Sequence, residues 1–585
     1  MNTTRSTRAR LALTIIAVFA IVTVFAIRLI DIQVVRASEL SAAAVSNRSL
    51  PLTTYGTRGE IVDTNGVVLA DSVDRFDITV SPRDVKEFDR LVDDERVTIS
   101  VDEALAEIGA LTGQSVEELK APIAANAEGN FAYLIQGVKL DVFTAVRELS
   151  IPWVSNELRP SRTYPNGAIA GNLVGFIGTD GPQAGVELTA DECLASTNGM
   201  STYERGSDGV RIPGSTVTAT EPKDGGTIRL TIDRDLQYFA QEALEKQAVA
   251  VGADWATAIV VRVSDGHLMA VADYPTVDPN DVSSAERTAL GSLAFSSPYE
   301  PGSTIKPMTV ASLLDANVLT PTTQFTVPSA YRVAGGTISD SFDHGDLRLT
   351  TAGIIMNSSN IGISMMSEEL SAEARRDYML KFGLGSETAV NFNGESAGVL
   401  REASGWDPIT DKTVQFGQGM SATSAQVASI YQTLGNGGVK MPLTLIEGCE
   451  QADGTVTNVP STEGERVVSE YAADETVKMM ETVVTDGWLS KQLTIPGYRV
   501  AAKTGTAEVA AADGSGYSGE RIVSIAGIAP ADNPEYAVVA TIGMPDTIKT
   551  SAAAAPTFQQ IMTQVLMKYR VVPSSTPAPD IPLTW

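Results

Sequence analysis

From Leu11 to Ile27 the chain reads LALTIIAVFAIVTVFAI, without one charged residue. Hydrocarbon holds no water to satisfy backbone N–H and C=O groups, so a run of this kind crosses a membrane only as a helix, whose hydrogen bonds are internal. Spanning takes about 20 apolar residues. The run reaches that length if Arg28 snorkels at the interface and LIDIQVV, with Asp31 as its one charge, carries it on. Arg5, Arg8 and Arg10 precede it. The positive-inside rule then makes 1–10 a cytoplasmic tail and 11–31 a transmembrane anchor, and puts the remainder outside the cytoplasm. The rival reading is a cleaved signal peptide with SAAA, Ser41 to Ala44, as its cleavage site. Against it, the apolar core exceeds the usual ~7–15 residues and the polar interval before SAAA is too long. We expect a single-pass protein of the cell membrane.

At 585 residues the chain is too long for one ordinary core. A net charge of -28 excludes nucleic acid as a partner, because that binding is driven by clustered Lys and Arg releasing phosphate counterions. Only two histidines, His267 and His344, and two cysteines, Cys193 and Cys449, occur. A zinc-protease helix and a thiolate metal site are therefore not expected, and neither a metal nor a cofactor is called for. The cysteines read first as two small buried hydrophobes, with one inter-domain disulfide as the alternative in an oxidising compartment.

Beyond the anchor, RGEIVDTNGVVLA from Arg58 reads as a hairpin closed by Asn65-Gly66. VDEALAEIGALTG has helical spacing and stops at Gly113, and Ser115 with Glu118 forms a capping box for the next helix. We read 36–213 as a pedestal or dimerisation module of α+β type, 214–226 as a linker rich in Gly, Pro and Thr, and 227–570 as a second α+β domain. Within the latter, TIRLTI, ATAIVVRV, HLMAVAD, IVSIAGIAP and YAVVATIGM read as strands of a mainly antiparallel sheet. RDLQYFAQEALEKQAVAV and APTFQQIMTQVLMKY read as helices flanking it. Residues 571–585 form a Pro-rich tail with no evident core.

In YEPGSTIKPM, Ser303 and Lys306 stand three residues apart, on one face of a helix. A serine hydroxyl attacks only when a base takes its proton, and a lysine serves if burial and nearby positive charge bring its pKa toward neutrality. One S-x-x-K is expected by chance in a chain this long, and a serine after Gly is more often a helix cap. Two further stretches alter that balance. MNSSNIGIS supplies Ser358 and Asn360 as S-x-N, and AAKTGTAE supplies Lys503, Thr504, Gly505 and Thr506 inside an apparent strand. All three motifs in this order are rare by chance.

The set resembles the penicillin-binding proteins of the acyl-serine transferase superfamily, and more narrowly their class B peptidoglycan D,D-transpeptidases. The likeness runs from the single anchor through RGEIVDTNG, RTYPNGAIAG, LTIDRDLQ, PGSTIKP, SSNIG, FGQGMSATSAQVA and KTGTAE. Within class B the anchor followed by RGEIVDTNG is most similar to the septal division enzymes, with the cell-elongation enzymes as close competitor.

The resemblance implies a penicilloyl-serine transferase fold and a set of roles. Ser303 attacks the carbonyl between two D-alanines of a stem peptide, Lys306 takes its proton, and Ser358 relays a proton to the departing amine. Asn360 holds the peptide and Lys306, Lys503 keeps the site positive, and Thr504, Gly505 and Thr506 bind the substrate's end. Implied partners are stem peptides, β-lactams, and a SEDS-type glycosyltransferase with other division proteins in the membrane. Hydrolysis by a β-lactamase or carboxypeptidase, a penicillin sensor and a division scaffold are the alternatives. Glu508 is an unconvincing water-activating glutamate. Gly417 and Gly419 serve either a turn or a close approach, and Asp343-His344 is a poor triad. Arg58 and Arg162 read as structural ion pairs.

Overall fold

The computed structural model describes residues 3–92, 95–204, 212–511 and 516–585. Met1 and Asn2 of the expected tail, the side chain of Arg5, and residues 205–211 of the expected 36–213 module lie outside the described residues. The chain gathers into two compact units, Met1–Thr57 with Ser196–Asp224, and Arg58–Ala195 with Gly225–Trp585. The stretch 36–213 is thus shared between them.

In the first unit a helix over Thr3–Ile30 passes through a π-helical turn, Asp31–Val35, into a second helix, Ala37–Arg48. Thr7–Val35 is long and apolar enough to cross a membrane. Asp31 at its end is held by Arg28 at 2.7 Å and Arg36 at 2.8 Å, so the one carboxylate in this stretch is paired. Strands Ser49–Thr54, Gly199–Glu204 and Val217–Thr220 form an antiparallel sheet. The last of these corrects the linker expected over 214–226. The run of β-branched residues in STVTAT favours an extended strand, and the surrounding Gly and Pro hid that preference.

The second unit opens with the Asn65-Gly66 hairpin, Ile61–Val62 against Val68–Val80, where Gly66 takes φ +82°. Thr227–Leu230 adds in parallel to Ile61–Val62 and antiparallel to Ile446–Glu450. The helices Val101–Thr112 and Val116–Ala125 each start in a capping box, Ser100/Glu103 and Ser115/Glu118. Cys449, in the strand Ile446–Glu450, is bonded to Cys193, their Cα atoms 6.0 Å apart although 256 residues separate them. The expectation of two unpaired hydrophobes is therefore corrected: both are buried, but as a pair. Gly226 lies against the bond, where a Cβ would stand 2.8 Å from the Cys449 sulfur and 3.0 Å from the Cys193 sulfur.

The remainder is built on a five-stranded antiparallel sheet. Its elements are α1 (Arg234–Val251), β1 (Trp255–Arg262), β2 (Leu268–Tyr274), α2 (Lys306–Asp315), α3 (Thr351–Asn357), α4 (Asn360–Ser367), α5 (Ser424–Gly435), α6 (Glu470–Thr485), β3 (Ala501–Ala510), β4 (Tyr517–Ala529), β5 (Tyr536–Gly543) and α7 (Ala555–Lys568). The strand order is β2-β1-β5-β4-β3, so β3 is an edge strand. Side chains alternate across the sheet as the pleat demands. Ala256, Ala258 and Val260 of β1 pack with Leu244 of α1 and Phe558 of α7. Ile259 and Val261 face the opposite core with Ile430 of α5 and Met480 of α6.

Residues 571–585 are not the coreless tail expected from their composition. Val571 is buried, and Ile581 and Leu583 pack on the main core. Spacing of two places both on one side of an extended chain, a signal the prolines obscured.

Candidate active site

The chain reaches Ser303 through Pro301 and Gly302, whose φ of +57° is open to glycine. Gly302–Ile305 is a single 3-10 turn and α2 begins only at Lys306, with Pro307 in its first turn, where no N–H is needed. Ser303 thus precedes the α-helix it was expected to start. A 3-10 turn has three residues per turn, so it superposes positions i and i+3 and keeps Lys306 under the serine. Three glycines bring neighbouring backbones into contact here. A Cβ on Gly302 would stand 3.1 Å from the Thr506 carbonyl oxygen, one on Gly505 would stand 3.1 Å from the Pro301 carbonyl oxygen, and one on Gly417 would stand 2.7 Å from the Gly302 nitrogen. Gly417 also has φ +83° and its carbonyl accepts from Gly302 N–H at 3.0 Å. Turn and close approach both apply.

The short helix α3 ends on Ser358, held left-handed at φ +56°, a conformation that costs a residue with a side chain about 1–3 kcal/mol. That kink turns the Ser358 hydroxyl and carbonyl toward two lysines. Lys306 Nζ donates to the Ser358 carbonyl at 2.5 Å, to Asn360 Oδ1 at 2.8 Å and to Ser358 Oγ at 3.3 Å; Ser303 is not among its partners. Lys503 Nζ, from β3, donates to Ser358 Oγ at 2.8 Å and to the Thr504 carbonyl at 3.0 Å. Asn360 is oriented by its own Nδ2 bond to the Ser339 carbonyl at 3.1 Å.

Both lysines are fully buried. Burial pushes Lys306 down to about 7, against the opposing pull of the Asp340 carboxylate. Lys503 is pushed well below its ordinary value by burial and then by Lys306. Two ammonium groups this close titrate as a pair, so near neutrality one of them gives up its proton readily. The Phe416 ring, 5.9 Å from Lys306 Nζ, closes that side with an apolar face.

Asp340 was not anticipated. Its carboxylate accepts from Ser359 Oγ at 2.7 Å and Ile361 N–H at 3.0 Å, fixing the start of α4, while His344 Nε2 lies 3.1 Å away. His344 therefore belongs to Asp340 and does not form a triad with Ser303. The only hint in the sequence was an acid and a histidine four residues apart, a weak pattern by itself.

Ser303, Ser358, Asn360, Thr504 and Thr506 line one cleft of about 710 Å³, together with Phe342, Gln418, Trp488 and Ser551. Ser551 was also missed; its hydroxyl donates to the Gly505 carbonyl at 2.8 Å and sits 3.2 Å from Thr506 Oγ1. Glu508 pairs with Arg521 at 2.9 Å and lines a separate groove. No glutamate is among the described residues that line the cleft. Gly419 lies in that separate groove too, its N–H donating to Glu300 at 2.9 Å. Arg58 and Arg162 converge on the buried Glu187 at 2.8 and 2.6 Å, away from the cleft.

Comparison with known proteins agrees with this geometry. Residues 256–563 match the penicillin binding protein transpeptidase domain, and residues 53–230 match the penicillin-binding protein dimerisation domain. Penicillin-binding protein PbpB of Mycolicibacterium smegmatis is 33% identical over 97% of this chain and 91% of its own. Peptidoglycan D,D-transpeptidase FtsI of Escherichia coli is 31% identical over 91% of this chain and 87% of its own. The crystal structure of penicillin binding protein 3 from Mycobacterium tuberculosis complexed with aztreonam superposes with a TM-score of 0.70 at 26% identity, covering 91% of this chain and all of that one.

Proposed function

The chain belongs to the class B penicillin-binding proteins, the serine-type peptidoglycan D,D-transpeptidases, and from that membership we propose that Ser303 carries the acyl group in the cleft described above. The observation that supports this most is the Ser358 hydroxyl within reach of both buried lysines, in the cleft that Ser303 also lines.

Lys306, pushed toward neutrality, takes the Ser303 proton as Oγ attacks the carbonyl between two D-alanines. The developing oxyanion receives the N–H groups of Ser303 and Thr506, each such donor being worth about 3–4 kcal/mol. Collapse breaks the C–N bond, and the proton returns through Ser358 to the leaving D-alanine amine. Lys503, Thr504 and Thr506 hold the substrate's terminal carboxylate, and Asn360 holds the peptide amide. An amine of a second stem peptide then attacks the ester and frees Ser303, forming the cross-link.

We read the apolar helix as the anchor, with Arg5, Arg8 and Arg10 on the cytoplasmic side and the catalytic domain outside. The likeness to FtsI favours septal wall synthesis, with a SEDS-type polymerase as partner of the anchor and the adjoining module. Labelled penicillin tests the central claim. A mass increment is expected on the tryptic peptide containing Ser303 and is expected to vanish in Ser303→Ala; labelling elsewhere would overturn the assignment. A fluorescent fusion seen along the side wall instead of the septum would overturn the septal reading.

A further inference from the structure

The two walls of the cleft come from different parts of the core: β3 carries Lys503 to Thr506, and α3 delivers Ser358. Residues 571–585 touch the root of each. On the β3 side, Ser574 N–H donates to the Gly497 carbonyl at 3.0 Å, and Ser574 Oγ accepts from Arg499 N–H at 3.0 Å and donates to Asp532 at 2.6 Å. Tyr498 Oη donates to the Val571 carbonyl at 2.8 Å, and Arg499 Nη1 donates to Thr576 Oγ1 at 3.1 Å. These partners, Gly497 to Arg499, lead directly into β3. On the other side, Thr350, the N-cap of α3, gives its N–H to the Leu583 carbonyl at 3.1 Å and its hydroxyl to the Pro582 carbonyl at 2.6 Å. Thr584 pairs with Leu349 in an antiparallel bridge. Trp585 lies 5.3 Å from the Arg348 guanidinium and donates to the Phe325 carbonyl at 3.3 Å. A Cβ on Gly353, in the first turn of α3, would stand 1.9 Å from the Leu583 carbonyl oxygen, so this glycine is what lets the segment lie on the helix.

We propose that residues 571–585 are a strap joining the root of β3 to the root of α3, which fixes the width of the cleft and holds Ser358 against Lys306 and Lys503, with Ile581, Leu583 and Trp585 as its positioning residues. Helix α3 has seven residues and spans about 10 Å at 1.5 Å per residue. A shift at Thr350 is therefore carried almost undiminished to Ser358. The segment does not touch substrate. It acts by keeping two separately supported motifs in register. This inference rests on the acyl-transfer reading above.

The test is the rate of acylation by labelled penicillin in the full chain, measured against pH. In the double variant Ile581→Ser, Leu583→Ser the second-order rate is expected to fall about tenfold or more, since misplacement near 1 Å costs up to about a hundredfold. The midpoint of its rise with pH should also move to higher pH, because a loosened cleft readmits water to Lys306 and relieves the burial that lowers its pKa. Leu583→Met should keep both values. Trp585→Ala, at a site 46% exposed where folding is not at stake, should shift both in the same direction as the double variant. Unchanged rate and midpoint in the double variant and in Trp585→Ala would overturn the strap. No labelling of the unaltered chain would overturn the acyl-transfer reading and the strap with it, which separates the two failures.

Discussion

Gly417 lies against Gly302 so closely that a Cβ on it would stand 2.3 Å from the Gly302 carbonyl oxygen. The FGQG turn is thus part of the seat of Ser303. In Gly417→Ala the new methyl meets backbone that has no flexible end to give way, and φ +83° adds about 1–3 kcal/mol of strain. Penicillin acylation should fall at least tenfold. Gly419→Ala is the control: it has φ +74°, but its nearest neighbour is the Thr413 hydroxyl at 3.2 Å. It should lower the melting temperature with a smaller effect on acylation.

Lys306 acts as a base only as the free amine. With its pKa pushed down to about 7 by burial, that form is scarce below pH 7 and predominates above it. Acylation should rise with pH through about 7 and then level. Lys306→Arg keeps the charge but cannot release a proton, and the rate should fall by about 10²–10⁴. A pH-independent rate in the unaltered chain would remove Lys306 from this role.

The Asp340 carboxylate pulls Lys306 upward against burial. Asp340→Asn removes that charge, so Lys306 should lose its proton at lower pH, and the acidic limb of acylation should shift toward acid. The amide also offers a donor where Ser359 Oγ now donates, which should cost about 1–3 kcal/mol of stability. Stopped-flow acylation across pH and thermal denaturation read the two effects separately.

The Cys193–Cys449 bond closes a loop across 256 residues. Reduction, or the paired change Cys193→Ala, Cys449→Ala, should destabilise the chain by about 2–5 kcal/mol. Neither cysteine lines the cleft, so below the lowered melting temperature the acylation rate should hold. Thermal melts with and without reductant measure the first effect, and labelling kinetics the second.

The parts legible in the sequence are those whose chemistry is local. The three motifs, the helix over Arg234–Val251 and the strands ATAIVVRV, HLMAVAD, IVSIAGIAP and YAVVATIGM follow from spacing and period, and they stand in the structure where those signals put them; TIRLTI is a strand too, but it leaves the five-stranded sheet to pair with Ile61–Val62, a partner far away in sequence. What escaped depends on partners far away in sequence. Cys193 and Cys449 have no spacing pattern that announces a pair, and Asp340 matters only because Ser359 and Ile361 fold over it. Ile581 and Leu583 alternate correctly for a half-buried strand, but the four prolines of the segment, with Ser574, Ser575 and Asp580, outweigh two positions. The 3-10 turn at Ser303 was read as α-helix because both place position i+3 on the same face.

Strand β3 closes the sheet on one side, and among the described residues no strand pairs with its outer row of N–H and C=O groups. A stem peptide bound along that row would be chosen by ladder bonding rather than by side chains. Registration then becomes the selective step. A slip of one residue would turn every side chain to the opposite face and carry the scissile carbonyl about 3.3 Å from Ser303, too far for attack. Such a binding mode tolerates varied side chains along the donor while demanding a fixed distance from its carboxylate end to its reactive bond. It would measure the substrate like a ruler, with its zero mark at Thr504 and Thr506 if these hold the carboxylate as proposed.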